Sequence, residues 1–90
     1  RNSLSNQDDL VIFPNPAREQ LNLTMNDLEE PVQLKIYNAL GHLVKTIPKQ
    51  SINNGISIDL TGFENGLYLL SVFKNQSKVV TKRFLVEHLR

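Results

Sequence analysis

The side chains that could carry chemistry are few, and their spacing matches none of the common sites. Cysteine is absent, so the chain has neither a thiol nucleophile nor a disulfide. His42 and His88 lie in separate segments with no third ligand placed nearby, and we interpret both as solvated rather than as a metal site. An acidic loop over residues 26–30 offers oxygens suited to calcium, but its spacing does not fit an EF-hand loop and we expect it to be solvated.

The hydroxyl and carboxylate groups have structural explanations as well. Six serines are present, but the sequence places no histidine–carboxylate pair beside any of them, which disfavours a hydrolase triad. Asp59 stands just before Thr61-Gly62 and is expected to accept hydrogen bonds from backbone N–H groups of that turn. We therefore predict that the chain is not an enzyme and that it binds no metal and no cofactor.

Length and composition indicate one small domain. The 90 residues suffice for a single core, and a net charge of +1 gives no electrostatic reason to expect a nucleic-acid partner. Neither a signal peptide nor an apolar segment of membrane length is present. Residues 1–9 are polar and are expected to be a linker or a cleavage-region remnant of a longer protein, with the domain over 10–88.

The element on which the domain depends is the apolar run over residues 66–73. Apolar residues occupy both sets of alternate positions, so both faces of the strand are apolar, which is typical of a central strand. Tyr68, Leu70 and Val72 share one face. The other face, formed by Leu67, Leu69 and Phe73, is expected to be covered by the 61–66 loop, by a second copy or by a partner. With a second strand over 78–86 it should form a terminal hairpin, in which we expect the function to reside.

Five shorter strands are expected before this hairpin, over residues 10–13, 20–25, 32–37, 42–47 and 56–60. The first ends at Pro14-Asn15-Pro16 and the fourth at Pro48, because proline has no N–H to donate to a ladder. Seven short strands separated by turn signals predict an all-β, Ig-like antiparallel β-sandwich. The expected core includes Leu23, Ile36, Ile58, Leu70 and Val72, with Phe63 closing one end.

An ordered set of short motifs resembles a known family. Together with their spacing, the motifs are similar to the type A C-terminal sorting domain of type IX secretion cargo in Bacteroidetes. The resemblance extends over about residues 10–88. The motifs are Phe13-Pro14-Asn15-Pro16, the Leu21/Leu23 strand, Leu34-Lys35-Ile36-Tyr37-Asn38-Ala39-Leu40-Gly41, Asn54-Gly55, Ile58-Asp59-Leu60, Gly66-Leu67-Tyr68 and the terminal Lys82-Arg83-Phe84-Leu85-Val86.

This resemblance implies a function and a set of partners. Such domains direct their cargo from the periplasm through an outer-membrane translocon, with shuttle components, to the cell surface or the medium. A sortase-like cysteine protease usually removes them there. In the family the signal concentrates in the last strands, which implies sorting roles here for Gly66, Tyr68, Lys82, Arg83, Phe84 and Val86. Self-association through Leu67, Leu69 and Phe73 is a further expectation.

Each of these residues also has a structural interpretation, and two other functions stay open. Gly66 fits a turn that needs positive φ, Tyr68 fits a core ring with a bonded hydroxyl, and charges at Lys82 and Arg83 would deter aggregation at a sheet edge. An adhesion or carbohydrate-binding module would need an exposed aromatic platform or clustered acids at loop tips. Only Tyr37 and Phe73 are candidates for such a platform, and they lie in different strands. A passive spacer inside an extracellular enzyme is the third interpretation.

Overall fold

The computed structural model describes residues 10–25 and 30–88. The predicted remnant over 1–9 and most of the acidic loop, residues 26–29, lie outside this part. The described part holds seven strands, and it contains no helix that could cross a membrane. The strands are β1 (Leu10–Phe13), β2 (Gln20–Met25), β3 (Val32–Asn38), β4 (Leu43–Gln50), β5 (Ile56–Asp59), β6 (Gly66–Lys74) and β7 (Ser77–Val86).

The strands form two antiparallel sheets. One has the order β1-β2-β5 and the other the order β4-β3-β6-β7. The predicted all-β sandwich is therefore confirmed, with β6 at the centre of its sheet between β3 and β7. The arrangement differs from a constant-type immunoglobulin domain in one respect: the fourth strand pairs with β3, so the sheet containing the terminal hairpin has four strands.

The core fills the space between the sheets because strand side chains alternate in direction. Leu21, Leu23 and Met25 of β2 are buried, whereas Asn22 and Thr24 between them are partly exposed. All five predicted core residues are confirmed as buried. The fully buried larger side chains are Leu10, Leu21, Leu23, Val32, Leu34, Ile36, Ile52, Leu60, Leu70, Val72, Phe84 and Val86.

The prediction that Pro48 ends the fourth strand is wrong. Strand β4 continues to Gln50, which pairs with Val32, and the register with β3 shifts between Val32 and Leu34. Since β4 is an edge strand, a proline at an irregular point in it is compatible with continued pairing. Leu43 and Val44, at the start of β4, are both exposed.

The chain changes sheets directly after β1. Strand β1 pairs with β2 up to Phe13, and the Phe13–Pro14 and Asn15–Pro16 peptide bonds are both cis. Ala17, which is completely buried, then forms an isolated parallel bridge to Val86 of β7. The Pro-Asn-Pro corner thus carries the chain from the three-stranded sheet to the edge of the four-stranded sheet.

Candidate functional site

The predicted terminal hairpin is confirmed, and a two-residue turn connects its strands. Strands β6 and β7 pair from Gly66 opposite Val86 to Lys74 opposite Ser77. Asn75 and Gln76 connect them with φ angles of 53° and 69°. Two successive residues at positive φ form the kind of two-residue turn that matches the twist of antiparallel strands.

The six residues implicated by the family resemblance lie on this hairpin but have different surroundings. Tyr68, Phe84 and Val86 are buried between the sheets, whereas Arg83 is exposed. Gly66 has a φ of 150°, where a residue with a side chain would be strained, although no atom lies within 4 Å of the position of a Cβ. Its structural interpretation, a backbone requirement at the start of β6, agrees with this geometry.

Tyr68 makes the hydrogen bond expected of a tyrosine near the start of such a strand in an immunoglobulin-like sandwich. Its hydroxyl donates to the carbonyl oxygen of Glu64 over 2.7 Å, four residues upstream. Its ring stacks on Phe84 at a centroid distance of 5.7 Å and meets Phe63 edge-on at 5.1 Å. Burial raises the pKa of Tyr68, and the nearby Glu64 charge raises it further. These contacts stabilise the corner between Phe63 and β6.

Removing the Tyr68 hydroxyl should weaken the domain moderately. We expect Tyr68→Phe to lower the free energy of unfolding by about 1 kcal/mol, the usual net value of one hydrogen bond. The raised pKa means that the folded state favours the neutral phenol of Tyr68. The contribution of this phenol to the free energy of unfolding is therefore complete below pH 10.0 and is lost as the pH rises through the raised pKa. Urea unfolding at neutral and alkaline pH measures both effects.

The matched control for this substitution is Tyr37→Phe, a partly exposed tyrosine on β3. It should change the free energy of unfolding by less than about 0.5 kcal/mol. Equal stability of Tyr68→Phe and the unmodified domain would contradict a stabilising role for the bond to Glu64.

Lys82 and Arg83 are neighbours with different roles in the fold. The Lys82 ammonium group donates to the carbonyl oxygen of Leu10 over 2.7 Å and so joins the edge of β7 to the edge of β1. Arg83, one position further along β7, is exposed on the outer side of the sheet. Its backbone lies opposite Leu69 of β6. The structural interpretation of both residues as charges at a sheet edge therefore fits Arg83, whereas Lys82 contributes to the contact between the sheets.

The last residues of β7 are covered along their outer edge by the segment after β1. The Ala17 N–H donates to the Leu85 carbonyl over 2.7 Å, and the Glu87 N–H donates to the Ala17 carbonyl over 2.8 Å. The side-chain oxygen of Asn15 accepts from the Leu85 N–H at 3.1 Å. The Pro-Asn-Pro motif therefore has a direct structural role at the end of the terminal strand.

The second apolar face of β6 is only partly covered within the described residues. Leu67 is 41% exposed, and Leu85, its partner on β7, is 38% exposed. Leu69 is half-buried, and the Lys35 ammonium group lies 5.1 Å from the ring centroid of Phe73. The sequence analysis did not include Leu85 in this face. Its position between Phe84 and Val86, which were expected to face the core, could have indicated that Leu85 faces outward. The cover predicted for Leu67, Leu69 and Phe73, by the 61–66 loop, by a second copy or by a partner, stays a prediction.

The polar residues considered at the outset are placed in structural roles. Asp59 accepts the Thr61 N–H at 3.0 Å, as predicted, and this bond lowers the pKa of its carboxyl group.

His88 is not simply solvated, since its Nε2 lies 2.6 Å from the Phe63 carbonyl and its Nδ1 lies 3.9 Å from a Glu19 carboxylate oxygen. His42 is exposed. No cluster of three or more metal-ligating residues occurs in residues 10–25 and 30–88.

The two aromatic candidates for a carbohydrate platform do not form one. Tyr37 lies opposite Leu69 on β6, whereas Phe73 lies opposite Gln33, four residues further along the same strand. Four residues of strand span about 13 Å. Both rings are also partly buried, so no continuous aromatic surface results.

The fold and the hairpin thus define a small immunoglobulin-like β-sandwich whose distinctive feature is its terminal strand. A family model described as the secretion system C-terminal sorting domain matches residues 11–87. The chain belongs to this family, the sorting domains of type IX secretion cargo. Membership implies export of the protein that carries the domain to the cell surface or the medium.

Two enzymes contain similar segments. A β-agarase A of Zobellia galactanivorans is 30% identical over 71 residues, which is 79% of this chain and 13% of the agarase. An ulvan lyase of Nonlabens ulvanivorans is 28% identical over 76 residues, which is 83% of this chain and 14% of the lyase. The chain therefore spans only about a seventh of each of these relatives.

Proposed function

We propose that this domain is a non-enzymatic sorting signal and that the type IX machinery recognises it as a folded unit. One observation carries the proposal: the family match covers β1 to β7 almost completely, and the domain is shared by relatives named for two different activities. A segment common to an agarase and a lyase, and only 13–14% of either, has no reason to carry either activity.

In the proposed mechanism the domain docks through its terminal hairpin. Its cargo crosses the periplasm, and the hairpin engages a shuttle component and the outer-membrane translocon. A sortase-like cysteine protease then cuts the segment that precedes β1, which releases the cargo at the surface. The absence of cysteine from this chain means that the thiol for this cleavage comes from the protease.

The six proposed signal residues divide into a framework and a surface. Gly66, Tyr68, Phe84 and Val86 determine the shape and position of β7 through burial and backbone geometry. Arg83 is the exposed member and is proposed to contact the machinery directly. Lys82 supports β7 through its bond to Leu10. Recognition of the folded hairpin therefore depends on both groups.

Separate alanine substitutions at the two charged positions should have different consequences. Arg83→Ala should change the free energy of unfolding by less than about 0.5 kcal/mol yet reduce export of a fused reporter protein. Lys82→Ala should lower the free energy of unfolding by about 1–3 kcal/mol, because it removes a charge-assisted bond between the sheets. Urea unfolding and the fraction of reporter in the medium measure the two quantities.

The matched control is Lys78→Ala, which removes an exposed charge near the other end of β7. It should leave stability unchanged and affect export less than Arg83→Ala does. Full export of the Arg83→Ala fusion would show that the export machinery does not recognise this charge. The signal would then have to lie in the apolar residues or in the overall shape of the domain.

A further inference from the structure

The outer edge of β7 presents backbone groups that the rest of the described chain does not pair. The amide and carbonyl of Leu85 both point away from β6, toward Asn15 and Ala17. In an antiparallel strand this direction repeats at every second residue. The amides and carbonyls of Thr81 and Arg83 therefore point the same way, and no strand of the described residues lies beside them.

This open stretch is short and has defined limits. On one side, the pairing of Ala17 with Leu85 and Glu87 covers the end of β7. On the other side, the register with β6 shifts beyond the pair Val72–Val80, which disturbs the regular alternation of the edge. Between these limits, a surface groove is lined by Asn15, Leu69, Thr81, Lys82 and Arg83. The groove and the backbone groups coincide at the same two residues, Thr81 and Arg83.

The charges around the open stretch favour an acidic partner over a second copy. Strand β7 has no acidic residue, and of its three cations Lys78 and Arg83 are exposed, whereas Lys82 bonds to Leu10. Pairing of two copies along this edge would place like charges close together, which is unfavourable. An extended segment with carboxylate side chains would instead form backbone hydrogen bonds and meet the exposed Arg83 with opposite charge.

We propose that Thr81 and Arg83 accept one short, acidic β-strand from a component of the export machinery, added to the four-stranded sheet. This inference rests on the proposed function and specifies the contact through which the hairpin is recognised. Thr81 supplies the sharper test, since its side chain bonds to Ser71 within the sheet and its N–H faces outward.

The experiment compares Thr81→Pro with Thr81→Ala in a reporter fused to this domain in a type IX-competent cell. Both variants lose the Thr81 hydroxyl, but only proline lacks the N–H and places a ring at the edge. Thr81→Ala should be exported almost as well as the unmodified fusion, whereas Thr81→Pro should be exported about tenfold less. Since the missing N–H has no partner in the described chain, both domains should melt within about 4 °C of each other.

A second pair tests the charge of the added strand. Arg83→Gln removes the positive charge with similar length, and Arg83→Glu reverses it. An acidic partner requires the Arg83→Glu fusion to be exported several-fold less than Arg83→Gln. Equal export of these two would overturn the acidic character of the partner.

Three other outcomes would overturn the proposal. Equal export of Thr81→Pro and Thr81→Ala would show that the edge is not used. A large fall in melting temperature for Thr81→Pro alone would contradict an open edge at Thr81, because an unpaired edge position tolerates proline. A dimer of the purified domain that Thr81→Pro converts to a monomer would assign the edge to a second copy. If the unmodified fusion were not exported at all, the proposed sorting function would fail, which is a distinguishable result.

Discussion

Replacing Phe84 with alanine should lower the free energy of unfolding by about 3–5 kcal/mol, one of the two largest effects expected in this domain. Phe84 is only 1% exposed and stacks on the Tyr68 ring, so the substitution removes buried apolar surface and leaves a cavity. A domain of this size has a total stability of about 5–15 kcal/mol, so the variant should be close to unfolding at 37 °C. Urea unfolding followed by circular dichroism measures the loss.

The next residue supplies a matched control. Leu85 is adjacent on β7 but is 38% exposed on the opposite face. Leu85→Ala should cost less than about 1 kcal/mol. Comparable losses for the two variants would contradict the assignment of faces along the terminal strand.

Phe84 also allows packing to be separated from recognition in the export of the cargo. Loss of export by Phe84→Ala is ambiguous, because an unfolded domain cannot present the hairpin. Phe84→Leu retains most of the buried apolar volume and should cost less stability than Phe84→Ala. Export of Phe84→Leu at a normal level would show that this position acts through packing. Loss of export of a folded Phe84→Leu variant would show that recognition requires the aromatic ring itself.

Local alternation was sufficient to predict most of the sandwich. Leu21, Leu23 and Met25 repeat at every second position, and the structure buries all three. The same reasoning placed Tyr68, Leu70 and Val72 on the core face of β6. These predictions succeed because side-chain direction in a strand has a fixed period of two and the core accepts only one parity.

The sequence could not predict contacts that depend on how distant segments meet. Ala17 and Ile52 are completely buried although they lie outside the regular strands, because the chain crosses from one sheet to the other at Ala17 and Ile52 packs into the core. The predicted strand end at Pro48 is wrong because the position of Pro48 at a sheet edge, where its missing N–H is tolerated, is not a local property.

The candidate site shows the same division. The terminal hairpin and the packing interpretation of Tyr68 were available from residue types and spacing, whereas a sorting role for Tyr68 is implied only by the family resemblance. The bond from Lys82 to Leu10 joins residues 72 positions apart, so residue types and spacing could not predict it. The sequence also could not predict that Asn15 and Ala17 cover Leu85. This coverage leaves only part of the β7 edge open.

The other large effect is the export of an unrelated protein. A reporter that is itself delivered to the periplasm should remain there when expressed alone in a type IX-competent cell. Fusion of residues 1–90 to its C-terminus should move most of it to the cell surface or the medium, because the folded domain supplies the signal for outer-membrane transport. The proposed proteolysis would shorten the exported protein by approximately the mass of this domain, 10.3 kDa, as measured by mass spectrometry.

The most direct test of the central claim is the distribution of this fusion in two otherwise identical cells, one with the type IX translocon and one without it. We predict export in the first cell and retention in the periplasm in the second, with the fused domain folded in both. Retention of a folded fusion in the cell that has the translocon, or equal export from both cells, would contradict the assignment of this domain as a sorting signal.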